Sequence, residues 1–344
     1  MRQFRACAVR LFAGLVLLVP SNVWAQGTAR SVRVGGLIYG SWSADLGSGA
    51  GGANRFEVNR AYVTLTGALS ERVSGRITTD AIREDGEELE VRLKYAFVTY
   101  RPERSAMAVR FGLTQTPFVE FEEGVWGYRM QGSIPADRLR YLSSADLGVA
   151  VDGRWGEGDA VQGTIGIYNG EGWARGEVDS GKDLMARLTV RLAQTDDPGT
   201  FGGVRVTAYG GVGSPPGGGV RQRALGMLSW RTRRLTLAGQ YLLTRDRQDA
   251  GTGNTVDGSL LNTFAVVRVP GAPVDLIARL ELHDPDRDVA ADRRTRWTAG
   301  VGHVLSPELR ILGSLEHLSY QGGAPTPALE ATRIRGQFQL ALTF

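Results

Sequence analysis

Apolar and polar residues alternate with a period of two in many short segments of this chain, up to its last residue. In the final segment, apolar residues from Ile334 to Phe344 share one strand face, while Arg333, Arg335 and Gln337 share the other. A period of two predicts strands whose faces meet different surroundings. A soluble sandwich alternates as well. Here the polar faces keep large arginines, which favours a wall between lipid and water.

Turn clusters divide the chain into sixteen predicted strands. They lie near 30–42, 55–68, 73–82, 89–100, 107–114, 146–154, 160–168, 183–193, 204–212, 220–231, 235–245, 259–269, 274–283, 294–304, 309–320 and 331–344. Tight links mostly follow the even-numbered strands and longer polar links the odd-numbered ones, as in barrels with short periplasmic turns and long extracellular loops. The sequence predicts an all-β fold, a closed transmembrane antiparallel β-barrel forming one domain over 26–344. Sixteen strands are favoured, and 14 or 18 stay open because the 194–203 link is long for a periplasmic turn.

Residues 1–25 have the layout of a secretory signal peptide: a basic start, an apolar run over 11–19 and a small residue before the cut. The run is too short for a membrane helix, which needs about 20 residues; a retained anchor is the alternative. Removing the segment takes away three arginines and leaves 37 basic against 36 acidic residues. It also removes Cys7, the only cysteine. The formal charge of +4 therefore does not indicate a nucleic-acid partner.

Strand parity places basic residues together on the faces predicted to line the lumen. These are Arg33, Arg60, Arg76, Arg92, Lys94, Arg110, Arg187, Arg191, Arg205, Arg279, Arg296, Arg310, Arg333 and Arg335. Rings of arginine favour anions in a pore, and a guanidinium binds phosphate or carboxylate with two parallel hydrogen bonds. The same faces carry fewer acids. These are Asp80, Glu90, Asp152, Asp183, Asp275, Glu281 and Glu316. In the alternative interpretation the arginines pair with these acids and only brace the wall.

The long segment 115–145 follows the fifth strand and is predicted to fold inward as a constriction loop. Its acids are expected to face its own basic residues and to set a transverse field across the bore. The residues concerned are Glu120, Glu122, Glu123, Arg129, Arg138 and Arg140. An external lid is the alternative.

Aromatic residues at or near strand ends are candidates for the girdles that flank the apolar band of a membrane barrel. They are Trp42, Tyr62, Tyr95, Tyr168, Trp230, Tyr241 and Trp297. A soluble β-protein would instead scatter such residues through its core.

Several blocks within 55–173 resemble the phosphate-selective porin O and P family: RFEVNRAYVTLTGAL, VRFGLTQTPFVEFEEGVWGYR, SSADLGVAVDGRW and GIYNGEG. The C-terminal RIRGQFQLALTF agrees as a barrel end. The resemblance implies a 16-stranded, usually trimeric outer-membrane channel for anions, with arginines lining the pore and a long third loop narrowing it. It places Arg60 and Arg110 in the lumen. The family's phosphate binders also carry lysines near the mouth, whereas this chain has only Lys94 and Lys182.

The predicted function is passive diffusion of small hydrophilic solutes, with preference for anions such as phosphate. The protein is expected in the outer membrane of a Gram-negative-type bacterium, as a homotrimer in contact with membrane lipid and lipopolysaccharide. A nonselective general porin and an exported, ligand-binding soluble β-sandwich are the alternatives. An enzyme is not expected, because only His283, His303 and His317 offer a base and no nucleophile motif accompanies them. No cofactor or metal site is predicted.

Overall fold

A computed structural model describes residues 31–47, 53–83, 89–215, 218–249, 253–323 and 332–344. Within these ranges the chain forms sixteen strands. They are β1 (Val32–Asp45), β2 (Asn54–Ala68), β3 (Val73–Arg83), β4 (Leu89–Tyr100), β5 (Met107–Gln115), β6 (Ala145–Trp155), β7 (Val161–Tyr168), β8 (Asp183–Ala193), β9 (Gly203–Gly213), β10 (Gly218–Arg231), β11 (Leu235–Asp249), β12 (Val256–Arg268), β13 (Val274–Asp284), β14 (Arg294–Val304), β15 (Leu309–Tyr320) and β16 (Thr332–Thr343). The predicted signal peptide, 1–25, lies outside the described residues.

Each strand pairs antiparallel with its neighbours in sequence, and β1 pairs with β16 to close the barrel. In that closing ladder Leu37 lies opposite Thr343 and Asp45 lies opposite Arg335. Closure leaves no unpaired sheet edge, which a strand in contact with lipid cannot tolerate. The predicted antiparallel barrel of sixteen strands is confirmed, and 14 and 18 strands are excluded.

The connections sort by length to the two ends of the barrel. Turns such as 69–72 and 232–234 are tight, while the connections over 116–144 and 169–182 leave the opposite end and are long. The connection over 194–202 is the long exception at the tight-turn end, as its sequence indicated. The termini of the barrel, at the start of β1 and the end of β16, also lie at the tight-turn end.

The segment between β5 and β6 lies inside the barrel and holds the apolar core. It contains α1 (Val119–Trp126), a 3-10 turn (Arg129–Gln131) and α2 (Pro135–Arg138). Gly127 ends α1 in the left-handed conformation, at φ 73°, which glycine adopts without steric cost. Buried side chains of the segment pack on luminal side chains of β9 to β13, β15 and β16. The inward-folded loop is thus part of the fold, and the external-lid alternative is wrong.

The outer surface carries a band of exposed apolar side chains such as Val34, Phe111, Ile165, Leu228 and Val301. Exposed aliphatic and aromatic residues over a closed barrel are what a lipid environment requires. No helix among the described residues is long and apolar enough to cross a membrane.

The aromatic residues predicted for the girdles divide into two groups. Trp230, Tyr241 and Trp297 are exposed on the outer face, in agreement with the prediction. Trp42 pairs in register with the exposed Phe56 and Phe338 and shares that outer face.

Three of the predicted girdle residues instead face the lumen, so the prediction is wrong for them. Tyr62 accepts a hydrogen bond from Arg60, and Tyr168 donates to the backbone carbonyl of Gln115. Tyr95 is buried beneath the guanidinium of Arg76. For Tyr62 and Tyr168 the alternation along the strand, not the distance from its end, decides the face.

Candidate functional site

The inward loop is fixed to one side of the lumen. The carboxylate of Glu122 in α1 accepts hydrogen bonds from Gln240 Nε2 on β11 and Asn262 Nδ2 on β12, each at 2.8 Å. Arg138 in α2 forms an ion pair with Glu281 on β13. These contacts hold the loop against β11 to β13. The open part of the lumen therefore lies between the loop and the opposite wall.

Glu122 and Arg279 lie behind the loop, which differs from the prediction for both residues. Glu122 is fully buried, and burial raises its pKa to about 7, while Arg279 and the hydrogen bond from Gln240 oppose that shift. The buried Arg279 guanidinium lies 4.1 Å from the ring centroid of Trp126. The two groups secure the loop to the wall and do not border the open lumen.

The open lumen between the loop and the wall is a cavity of about 910 Å³, which we call the passage. Eight arginines and three side-chain carboxylates border it, so positively charged side chains exceed negatively charged ones by five. They are Arg60, Arg76, Arg101, Arg110, Arg129, Arg154, Arg187 and Arg310, with Glu120, Glu123 and Asp152.

The loop contributes two carboxylates to the passage. Glu120 is exposed and lies 3.9 Å from Nη1 of the wall residue Arg76. Glu123 forms an ion pair with Arg129, and burial raises its pKa while that guanidinium opposes the shift. Glu120 thus faces an arginine of the wall, whereas Glu123 pairs within the loop.

The other basic residues of the loop lie away from its acids. Arg138 pairs with Glu281 of the wall and not with an acid of the loop. Arg140 is exposed in the left-handed conformation, at φ 60°. Of the three basic residues offered as partners for the loop acids, Arg129 pairs with Glu123, whereas Arg138 pairs with Glu281 of the wall.

Three arginines of the wall are anchored by neutral groups. Arg60 donates to the Tyr62 hydroxyl at 2.7 Å, and its Nε lies 3.5 Å from an oxygen of Asp80. Arg76 donates to Thr78 Oγ1 at 3.1 Å. Arg187 donates to the Pro117 carbonyl at 2.7 Å and to Thr189 Oγ1 at 2.7 Å. The neutral anchors of Arg76 and Arg187 do not cancel their charge, whereas Asp80 offsets part of the charge of Arg60.

Arg110 borders the passage, but its guanidinium is bonded to other residues of the wall. Its Nε and Nη2 donate to both oxygens of Asp152, at 2.5 and 2.9 Å. Its Nη1 donates to Thr114 Oγ1 at 2.8 Å and to Gln115 Oε1 at 2.5 Å. A two-pronged ion pair with further side-chain bonds is a rigid brace.

The bracing interpretation also describes predicted residues near the ends of the barrel. Arg92 pairs with Glu90, and Arg333 and Arg335 both approach Asp45, at 3.6 and 3.0 Å. The charge of Arg92 is matched by Glu90, whereas Arg333 and Arg335 share the single carboxylate of Asp45.

Arg191 and Arg205 instead brace the tight turn between β6 and β7, because both donate to the Gly158 carbonyl. Arg33 is exposed near the start of β1, on the face opposite its outward neighbours Val32 and Val34. None of these three residues borders the passage.

Lys94 is buried and does not border the passage, where the basic residues are all arginines. Its ammonium donates to Ser144 at the end of the inward loop and lies 4.0 Å from the ring centroid of Trp173 in the next long connection. The chain's other described lysine, Lys182, pairs with Glu177 in that same connection. Both lysines therefore hold loop segments.

Strand parity misplaced two aromatic residues of the passage. The sequence pattern puts Tyr95 and Phe97 on one face with Val91 and Leu93, which are exposed on the outside. The structure turns both rings into the lumen, where they border the passage. The cause is an irregularity of the β3–β4 ladder at Lys94. No residue type in the sequence marks that position.

Comparison with solved structures finds outer-membrane barrels. The anion-selective porin from Comamonas acidovorans is 13% identical, with a TM-score of 0.68 over 92% of this chain and 100% of that one. OprB of Pseudomonas putida is 9% identical, with a TM-score of 0.65 over 91% and 94%. OmpF of Salmonella typhi, in complex with daunomycin, is 12% identical, with a TM-score of 0.63 over 91% and 97%.

Comparison with protein-family models and with curated proteins gives no match. At identities this low the structural likeness establishes the fold alone, a closed sixteen-stranded antiparallel barrel. The predicted integral outer-membrane location agrees with that fold and with the apolar outer band.

Proposed function

We propose that this protein is a passive diffusion channel of a Gram-negative outer membrane for small hydrophilic solutes, with preference for anions such as phosphate. The observation that carries the proposal is the excess of arginine in the passage, eight against three carboxylates. Arginine rings raise the local concentration of anions and repel cations. The neutral anchors of Arg76 and Arg187 leave this charge available to a solute.

Phosphate selectivity, and with it membership of the phosphate-selective porin O and P family, is the finer part of the proposal. Lys94 is buried and Lys182 is paired in a loop, so recognition of phosphate rests on arginine. Guanidinium groups bind phosphate oxygens through two parallel hydrogen bonds. One structural neighbour is described as an anion-selective porin, which supports the coarser preference for anions.

A nonselective general porin is the second candidate function. The ion pair of Arg110 with Asp152 and the approach of Arg60 to Asp80 favour it, because they neutralise part of the positive wall. The two candidates differ in the sign and size of ion selectivity.

We also propose that the chain assembles as a homotrimer whose outer band contacts lipid and lipopolysaccharide. The exposed apolar side chains of the barrel supply the surface for both contacts. A trimer form is described for one structural neighbour, OmpT of Vibrio cholerae.

Substitution of a single passage arginine tests the anion preference. We expect Arg76→Gln to lower the ratio of chloride to potassium permeability on the order of two- to fivefold, because one charge beside the path is removed. The ratio is measured from reversal potentials of the full chain in a planar bilayer. Arg72→Gln is the matched control, since Arg72 is an exposed residue of a tight turn paired with Glu103. Equal ratios for both variants would contradict the proposal.

A further inference from the structure

A β-bulge turns two aromatic rings into the passage. Thr78 lies opposite Tyr95 and Thr79 lies opposite Leu93, so Lys94 is the extra residue of β4. Leu93 is exposed on the outer face, whereas Tyr95 is buried on the luminal side. Bulges often re-aim side chains at functional sites. Without the bulge, Tyr95 and Phe97 would follow Leu93 to the lipid face.

Arginines flank these two rings. Phe97 lies directly opposite Arg76 in the ladder of β3 and β4. The Arg76 guanidinium lies 4.6 Å from the ring centroid of Tyr95, and that of Arg110 lies 5.9 Å from the ring centroid of Phe97. The rings meet edge-on with centroids 6.4 Å apart. The wall therefore presents aromatic surface and guanidinium groups side by side.

The neighbouring strand β5 approaches the backbone of Phe97 closely. Gly112 of β5 lies opposite Phe97, with φ at 126°. A Cβ atom on Gly112 would come within 2.9 Å of the Phe97 Cα, so a side chain there would crowd this position. Phe97 is half-buried and borders the passage.

The loop side of the passage repeats this chemistry. The Arg187 guanidinium lies 4.2 Å from the ring centroid of Phe121. Phe121 packs edge-on against Phe201 with centroids 5.7 Å apart, and both border the passage. Two sides of one cavity thus combine aromatic rings with guanidinium groups.

We propose that the passage selects aromatic carboxylates among the anions it admits. The carboxylate binds the guanidinium of Arg76 or Arg187, and the aromatic ring packs against Phe97 in an offset or edge-on arrangement. Acetate and phosphate make only the first contact. The inference rests on the proposed anion channel, because a carboxylate must first be admitted by the positive wall.

Block of chloride current by small anions tests this selectivity. The full chain in a planar bilayer is titrated with benzoate, cyclohexanecarboxylate, acetate or inorganic phosphate, and the concentration that halves the current is measured. Benzoate and cyclohexanecarboxylate share charge and approximate size, but only benzoate has an aromatic ring. We expect the benzoate concentration to be about three- to tenfold below that of cyclohexanecarboxylate, and acetate to block less than either.

Variants of the aromatic wall locate the effect. Phe97→Leu is expected to abolish most of the benzoate advantage, and Phe97→Tyr, which keeps a ring, is expected to retain it. Phe111→Leu is the matched control, because Phe111 on the neighbouring strand is 67% exposed on the outer face. Each variant is checked for the folded barrel by its shift in gel migration on heating.

Each outcome decides the proposal. Equal block by benzoate and cyclohexanecarboxylate in the unmodified protein overturns it, as does an undiminished benzoate advantage in folded Phe97→Leu. If Phe97→Leu does not fold, the anion series on the unmodified protein decides alone. An anion-selective channel without a benzoate advantage removes this inference and keeps the proposed function, whereas a cation-selective channel removes both.

Discussion

The arginines of the passage differ in what their partners leave available to a solute. The Arg110 guanidinium donates hydrogen bonds to both oxygens of Asp152 and to two further side chains. Arg76 is anchored by a hydroxyl, and its acidic neighbour Glu120 is exposed and 3.9 Å away. Reversing Arg110 to Glu would therefore set two carboxylates together and break a brace. Reversing Arg76 would change the field of the passage.

The burial of the Glu122 carboxylate makes the stability of the protein depend on pH. Burial raises its pKa from an ordinary 4.5 to about 7. Between these two pH values the native protein holds a proton that the unfolded chain has released. The free energy of unfolding therefore falls as pH rises through this window.

The variant Glu122→Gln is expected to remove that dependence. The neutral amide keeps an acceptor for Gln240 or Asn262, whose own carbonyl oxygens have no hydrogen-bond partner within the described residues. Above pH 7 we expect the free energy of unfolding of the variant to exceed that of the unmodified protein by roughly 1–3 kcal/mol. It is measured by urea unfolding from lipid vesicles. Glu120→Gln, an exposed change on the same helix, is the control. A slope unchanged by Glu122→Gln, or lower stability at pH 8, would count against a buried, proton-holding carboxylate.

At the scale of single elements, the positions of the strands can be predicted from the sequence. Which side chains of β4 face the lumen cannot. Alternation fixes the face of a regular strand, as in β13, where Leu276, Leu280 and Leu282 are exposed and Arg279 and Glu281 are buried. One extra residue reverses the alternation beyond it. The β3–β4 bulge depends on pairing between strands, so the sequence of β4 alone does not indicate it.

The inward loop is stabilised by apolar packing, so we expect that removing a large side chain from this packing changes the conductance. Trp126 is buried against Phe264, with ring centroids 5.0 Å apart. Trp126→Ala is expected to cost about 3–5 kcal/mol of loop packing and to raise single-channel conductance, because a loosened loop no longer narrows the lumen. Trp230→Ala, which removes an exposed tryptophan of the outer face, is the control. Conductance equal to that of the unmodified protein in folded Trp126→Ala would show that the loop does not limit ion flow.

For the whole molecule, strand count and closure were predictable because each is encoded locally. Strand length, turn spacing and the requirement to pair every backbone group lead to one closed sheet. The passage was predictable only in outline, since it depends on contacts between distant segments, such as Glu122 with Asn262 and Arg110 with Asp152. The inward position of the 116–144 segment follows from its length, whereas the side of the lumen it occupies does not.

The reversal potential of the unmodified protein across a KCl gradient tests the central claim most directly. An arginine-rich passage passes chloride more readily than potassium, so the dilute side is expected to become negative, with the same sign in potassium phosphate. A potential near zero in KCl would indicate a nonselective porin, because potassium and chloride have nearly equal mobilities in water. A dilute side that becomes positive in KCl would contradict the account, because it would show that cations cross a passage bordered by five more positively than negatively charged side chains.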